Sequence, residues 1–185
     1  TYGTQDAAIT GKVKSSTGLL EVAITSGANL HSIKTNLVGE YNLPNVLLAV
    51  AIGKYFNVPE EKIKSVLENY TPSNSRSQLI EKDSNKIILD AYNANPSSMK
   101  AAIENFAKMD GDSKVLLLGG MKELGAESLP EHQSLINLIK KYNWKNVVLV
   151  GNEFENTKNN YLHFENAEQA GEWYRQQNFT DTLLL

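Results

Sequence analysis

The chain contains no cysteine. Disulfides, thiolate metal sites and a cysteine nucleophile are therefore excluded, and the composition suits a reducing compartment without requiring one. Long apolar runs are absent too. The longest wholly apolar stretch is residues 46–52, far short of the ~20 residues that span a bilayer. The opening TYGTQDAA has neither the basic start nor the apolar centre of a signal peptide. A cytoplasmic protein with no membrane insertion is the expectation. There is no basic surplus either: 18 Lys and Arg stand against 21 Asp and Glu, a net charge of −3. A nucleic-acid partner, which calls for a basic stripe, is not expected. The lysines at 62, 64, 82 and 86 read as solvated surface. Four motifs are missing as well: the phosphate-cradling G-x-x-x-x-G-K-[ST], the dinucleotide fingerprint G-x-G-x-x-G, H-E-x-x-H and G-x-S-x-G.

What is present is ordinary for a folded protein: 185 residues, 41% hydrophobic and 21% charged. That length fits one large domain or two small units. The first forty residues read as β. Short β-prone runs at 8–14, 19–25 and 32–37 are broken by Ser/Gly/Asn clusters, which predicts a small antiparallel meander. Pro44 then suits a helix start, with Asn42 or Leu43 just outside it. Residues 46–56 are apolar nearly all round, so this helix is expected to be buried. Pro59-Glu60-Glu61 opens a second helix, with Ile63, Val66, Leu67 and Tyr70 in phase on one face. Residues 71–77, TPSNSRS, are polar and breaker-rich and read as a linker.

From there strand and helix alternate. Strands are expected at 86–90, 114–118, 146–150, near 161–164 and at 182–185. Helices are expected after the cap Asn95 with Pro96, over 131–142 and over 166–177. This order predicts an α/β fold with a parallel, doubly wound sheet, preceded by a smaller β/α piece. A chain that opens on Thr and stops inside a strand points to a piece of a longer protein.

In such a sheet ligands bind beyond the carboxyl ends of the strands. Three segments fall there: Asp90 to Pro96, Gly119 to Gly125, and Gly151-Asn152-Glu153. Asp90 ends an apolar strand, where a carboxylate can accept bonds from two ribose hydroxyls or ligate Mg²⁺ through water. The same position suits an Asp that caps the next turn, and position alone does not choose. Tyr92, Asn93 and Asn95 add polar groups, with helix capping the stronger reading for Asn95. Gly119-Gly120 permits close backbone approach. Glu123 and His132 are polar site candidates, although a lone histidine near a helix start is more often structural. Arg76, in the linker, reads as solvated or as a bidentate phosphate grip. Asn42 and Asn45 flank Pro44, where capping explains Asn42 better than Asn45. No residue set reads as a metal site, and no catalytic residue is assigned.

The run Ile87-Ile88-Leu89-Asp90-Ala91-Tyr92-Asn93-Ala94-Asn95-Pro96-Ser97-Ser98-Met99 resembles the hallmark of the Mur ligases of peptidoglycan synthesis, in particular of the branch that adds D-Ala-D-Ala. Leu118-Gly119-Gly120-Met121-Lys122-Glu123-Leu124-Gly125 followed by His132, and Gly39 to Ala49, resemble two further family motifs in the right order. Arg76 stands where the family has a linker arginine. The resemblance implies that 1–74 is the end of a central ATP-binding domain whose P-loop lies upstream, and that 75–185 is a Rossmann-like C-terminal ligase domain. It implies ATP and Mg²⁺ as cofactors of the complete enzyme. UDP-MurNAc-tripeptide and D-Ala-D-Ala would be its small-molecule substrates, and it would act as a monomer. Carried over residue by residue, Asn45 would contact adenine with Asn42 beside it, Arg76 the phosphates and Asp90 the ribose. Tyr92, Asn93, Asn95, Met121 and Glu123 would line the dipeptide side.

The sequence departs from the family at Leu89, where a second Asp is frequent, and at Ala91, a usual Ser. It departs again at Gly120, often an Asp, and at Ser75, often a Gly. Two alternatives remain. A folylpolyglutamate synthetase-like ligase shares the architecture, but the YNANP and MKELG runs oppose it. A non-catalytic nucleotide-binding module is the other, and coding sequence upstream would discriminate.

Overall fold

A computed structural model describes residues 1–185. The chain divides into two compact units, Thr1–Leu79 and Ile80–Leu185.

The first unit is a four-stranded sheet in the order β1 (Tyr2–Gly3), β2 (Ile9–Ser15), β3 (Leu19–Ser26), β4 (Ile33–Val38). The last three strands pair antiparallel as the expected meander, and β1 adds a parallel edge that the sequence reading did not contain. In β3 the side chains of Leu20, Val22 and Ile24 alternate inward, the period of two that a half-buried strand requires. They pack against α1 (Leu43–Tyr55) and α2 (Glu60–Asn69).

Two expectations need correction here. Only one side of α1 is buried, through Leu43, Val46, Leu47 and Val50, whereas Ile52, Tyr55 and Phe56 are 50%, 79% and 70% exposed. The residues are apolar all round, but one sheet and one helix cover one side only. On α2, Ile63 is buried and Leu67 partly so, while Val66 and Tyr70 are exposed. The stripe that touches α1 and the sheet is narrower than the apolar pattern.

The second unit is built on a six-stranded sheet in the order β5 (Gln78–Lys82), β6 (Asn85–Leu89), β10 (Leu183–Leu184), β7 (Lys114–Gly119), β8 (Asn146–Val150), β9 (Leu162–Phe164). From β6 to β9 every neighbouring pair is parallel. Helices α3 (Pro96–Lys108), α4 (Ser128–Ile139) and α5 (Ala167–Gln176) make the crossovers. Val147, Val148 and Leu149 of β8 are buried in succession, as expected of a strand covered on both faces. Ile103 and Phe106 of α3 and Ile136 and Ile139 of α4 are wholly buried. Strand β5 was not anticipated, because QLIEK is only half buried and carries a weak apolar signal. Helix α4 starts three residues before the expected Glu131, and Tyr142 lies past its end, 36% exposed. The expected strand at 86–90 ends at Leu89, which leaves Asp90 as the first residue beyond the sheet edge.

Candidate functional site

The carboxyl ends of β6, β10 and β7 frame a cavity of about 590 Å³, a size typical of small-molecule sites, which run ~300–1,000 Å³. Asp90, Tyr92, Asn93, Gly119 and Gly120 line it, and Met99 of α3 and Tyr174 of α5 close its sides. The lining is mostly apolar with one carboxylate at the strand end. This suits a nucleoside or similar ligand that offers a flat face and a pair of hydroxyls. Tyr92 is 61% exposed and therefore sits at the rim.

Three of the expected dipeptide-side residues lie elsewhere in this unit. Asn95 is the cap of α3. Its Oδ1 accepts from the Ser98 amide at 2.9 Å and from the Ser97 hydroxyl at 2.8 Å, and its own amide donates to Ser98 Oγ at 3.2 Å. This reciprocal capping box engages the side chain in helix initiation. Met121, expected on a cleft wall, has its side chain 1% exposed and turned into the α3–α4 groove, away from the cavity that holds Asp90. A thioether flanked by Leu135 and Leu138 gains more from burial there than from contact with a polar ligand. Glu123 is exposed on the loop after β7, with a left-handed backbone (φ +65°).

That loop is held by two groups to which the sequence reading gave no such role. His132 of α4 is fully buried, and its Nε2 accepts the Met121 amide at 2.9 Å. Its Nδ1 lies 2.6 Å from the Ser128 carbonyl oxygen. A carbonyl only accepts and an amide N–H only donates, so Nδ1 carries the proton. The ring packs edge-on against Phe154 at 4.8 Å between centroids. From the turn after β8, Glu153 reaches across both strand ends. Its Oε1 pairs with Lys122, while its Oε2 is buried without a partner. A Cβ at Gly120 would overlap this carboxylate and come within 3.0 Å of Glu153 Cβ, and a Cβ at Gly151 would meet Oε2. Both glycines leave room for the carboxylate, and Gly151 (φ +110°) also needs a backbone that L-residues rarely adopt.

The Lys122 hydrogen bond holds the Glu153 carboxyl below its ordinary value, against the opposing push of burial. A depressed carboxylate stabilises the fold above its unfolded value and loses that contribution as pH falls through its folded value. Between about pH 6 and pH 3 the wild-type chain should therefore lose more unfolding free energy than Lys122→Met. Equal losses in urea titrations across that range would refute the assignment.

In the first unit, Asn42 is buried and Asn45 exposed. Asn42 stands at the start of α1 but makes no side-chain cap, contrary to expectation. Its Nδ2 donates backward to the Val38 carbonyl at 2.9 Å, and its Oδ1 accepts from Asn45 Nδ2 at 3.0 Å. Arg76 is exposed in the irregular segment between α2 and β5.

Residues 75–183 match the family described as Mur ligase, glutamate ligase domain. The chain belongs to the Mur ligase family. It is 42% identical over 91 residues to the UDP-N-acetylmuramoyl-tripeptide–D-alanyl-D-alanine ligase of Bacillus subtilis, a stretch covering 48% of this chain and 20% of that protein. It superposes on the MurF ligase of Thermotoga maritima in complex with ADP with a TM-score of 0.81 at 19% identity, covering 100% of this chain and 43% of that one. The folylpolyglutamate synthase of the same organism also shares the fold, with a TM-score of 0.70 at 16% identity, covering 97% of this chain and 44% of that one. This Mur ligase chain thus spans less than half the length of the relatives it matches.

Proposed function

We propose that the chain is the C-terminal part of an ATP-dependent ligase that joins D-Ala-D-Ala to UDP-MurNAc-tripeptide. Residues 1–74 would end the central ATP-binding domain and 75–185 would form the C-terminal ligase domain of a monomeric, cytoplasmic enzyme. The observation that carries this reading is Asp90, placed just past the end of β6 on a cavity of about 590 Å³. Sequence identity concentrated on D-alanyl-D-alanine ligases supports the choice of amine. The shared fold alone would admit a folylpolyglutamate synthase equally.

A carboxylate is a poor acyl donor because its oxygen is a poor leaving group. In the proposed reaction the tripeptide carboxylate takes the γ-phosphoryl group of ATP and ADP departs. The dipeptide amine then attacks the acyl carbon, phosphate leaves with the bonding pair, and the amine loses a proton. Positioning and charge neutralisation supply most of the catalysis in such transfers. Asp90 would accept the ribose hydroxyls, Arg76 would grip phosphate oxygens, and Asn45 would read adenine. Tyr92 and Asn93 would meet the dipeptide at the cavity rim. Mg²⁺ would neutralise phosphate charge. The 185-residue chain alone, given ATP, UDP-MurNAc-tripeptide and D-Ala-D-Ala, should release no phosphate above background; turnover at rates of about 1 s⁻¹ or more would overturn the reading of it as a part.

A further inference from the structure

Of all the aspartates and asparagines in the chain, one alone precedes a glycine: Asp110, followed by Gly111. The pair lies where the chain leaves α3. Met109 is the last residue tied to that helix, its amide donating to the Phe106 carbonyl at 3.2 Å. Asp110, Gly111 and Asp112 are exposed, and β7 begins at Lys114. The Gly111 amide donates no hydrogen bond, and the Asp110 carboxyl group enters neither a hydrogen bond nor an ion pair. A backbone nitrogen with no other engagement thus follows a solvated carboxyl group, and no Cβ on the glycine crowds the approach between them. Asp6, Asp83, Asp90, Asp112 and Asp181 are each followed by a residue that carries a Cβ.

We propose that Asp110-Gly111 is a site of spontaneous isoaspartate formation, and hence a substrate site for an enzyme that methylates isoaspartyl carboxylates. The Gly111 nitrogen attacks Cγ of the protonated Asp110 carboxyl group. A C–N bond forms, the carboxyl hydroxyl and the amide proton leave as water, and a succinimide ring closes. Water then adds to one of the two ring carbonyls. Addition at Cγ restores aspartate. Addition at the α-carbonyl breaks its bond to the Gly111 nitrogen, frees the α-carboxyl group and leaves the backbone running through Cγ. No atom is gained or lost overall, and nothing is oxidised or reduced. The backbone is longer by one methylene, and the segment has little slack for it. A Cβ at Gly111 would come 2.5 Å from Leu183 Cδ1, so the glycine lies against β10. Two residues on, the Ser113 carbonyl accepts the Leu183 amide at 2.9 Å, and the Ser113 and Thr182 hydroxyls lie 2.9 Å apart. These contacts hold β10 in its place between β6 and β7. Isomerisation pulls Gly111 and Ser113 off these partners and loosens a central strand of the second unit.

The test uses the complete protein that carries this chain, aged for weeks in its native state at physiological temperature and pH. Wild type, Asp110→Ser and Asp110→Asn are compared. Each is treated with purified isoaspartyl methyltransferase and labelled S-adenosylmethionine, and the label is located by peptide mapping. The wild-type peptide that contains Asp110 should split into two species of equal mass, one of them labelled. Serine has no carboxyl group to attack, so Asp110→Ser should lose both the second species and the label there. Asparagine has a better leaving group in ammonia, so Asp110→Asn should convert faster and with a rise in mass, as amide becomes acid. Aged wild type should also lose urea stability relative to fresh protein by tryptophan fluorescence, and aged Asp110→Ser should lose less. Label confined to other peptides, such as the one with Asn74-Ser75, would overturn the proposal. Conversion at Asp110 in urea but not in the native protein would overturn it as well, because the fold would then protect the pair. Conversion with an unchanged urea midpoint would refute the link to β10.

Discussion

Replacing His132 with leucine is expected to destabilise the second unit by about 1–3 kcal/mol, the cost of leaving a buried donor unsatisfied. The side chain is of similar bulk, so the loss is chemical rather than volumetric. The Met121 amide is buried and its only acceptor is His132 Nε2 at 2.9 Å. Leucine supplies no acceptor, and the Ser128 carbonyl loses its 2.6 Å partner as well. His132→Gln offers one acceptor and should recover part of the loss. Both tryptophans, Trp144 and Trp173, lie in the second unit, so the urea midpoint followed by tryptophan fluorescence reports this unit selectively. A leucine variant with an unchanged midpoint would show that the loop after β7 does not depend on the histidine. Because Gly119 and Gly120 line the cavity, the same variant should also weaken ligand binding there beyond its effect on stability.

Gly120→Ala is expected to cost a further ~1–3 kcal/mol, the range for forcing extra atoms into a packed place. The added Cβ would overlap the Glu153 carboxylate and press within 3.0 Å of Glu153 Cβ. Rotation of the carboxylate alone cannot relieve both contacts, and it would break the pair with Lys122. The effect should be coupled: in a Glu153→Gly background, which removes the carboxylate and the Cβ alike, the alanine at 120 has space, and its cost should fall to a few tenths of a kcal/mol, as for sites that do not interact. A double-mutant cycle by urea denaturation measures this. Additive costs would show that Glu153 and Gly120 do not share the space.

This pair stands at one departure from the family pattern. The resemblance expects an acidic residue at position 120, where this chain has glycine. The structure fills the space with a carboxylate from Glu153, delivered by the turn after β8. This contact was not legible in the sequence, because positions 120 and 153 are far apart in the chain and become neighbours only through the pairing of β7 with β8.

Other features were legible because their causes are local. The cap Asn95 with Pro96, the apolar strands and the Ser/Gly turns act over a few residues, and each lies close to its expected position. The features that escaped depend on tertiary context. The exposed side of α1 follows from how much surface the rest of the chain offers, not from its own residues. Burial of Met121 depends on α3 and α4 meeting beneath it. The role of Asn42 depends on the Val38 carbonyl lying behind it, which capping preferences at a helix start do not foresee. For the candidate site, Asp90, Tyr92 and Asn93 share one cavity, as their common place at a strand end implied. Asn95, Met121 and Glu123 share that address in the sequence but serve a cap, a groove and an exposed loop.

The most direct test of the proposed function is the identity of the joined amine. The complete protein containing this chain would be incubated with ATP, Mg²⁺ and UDP-MurNAc-tripeptide, with D-Ala-D-Ala, D-Ala or L-glutamate as the amine, and the products read by mass spectrometry alongside phosphate release. The account predicts one new amide, formed with D-Ala-D-Ala, with one phosphate released per product. An amide formed with L-glutamate or D-Ala in its place, or none with D-Ala-D-Ala from a folded, ATP-hydrolysing protein, would contradict it.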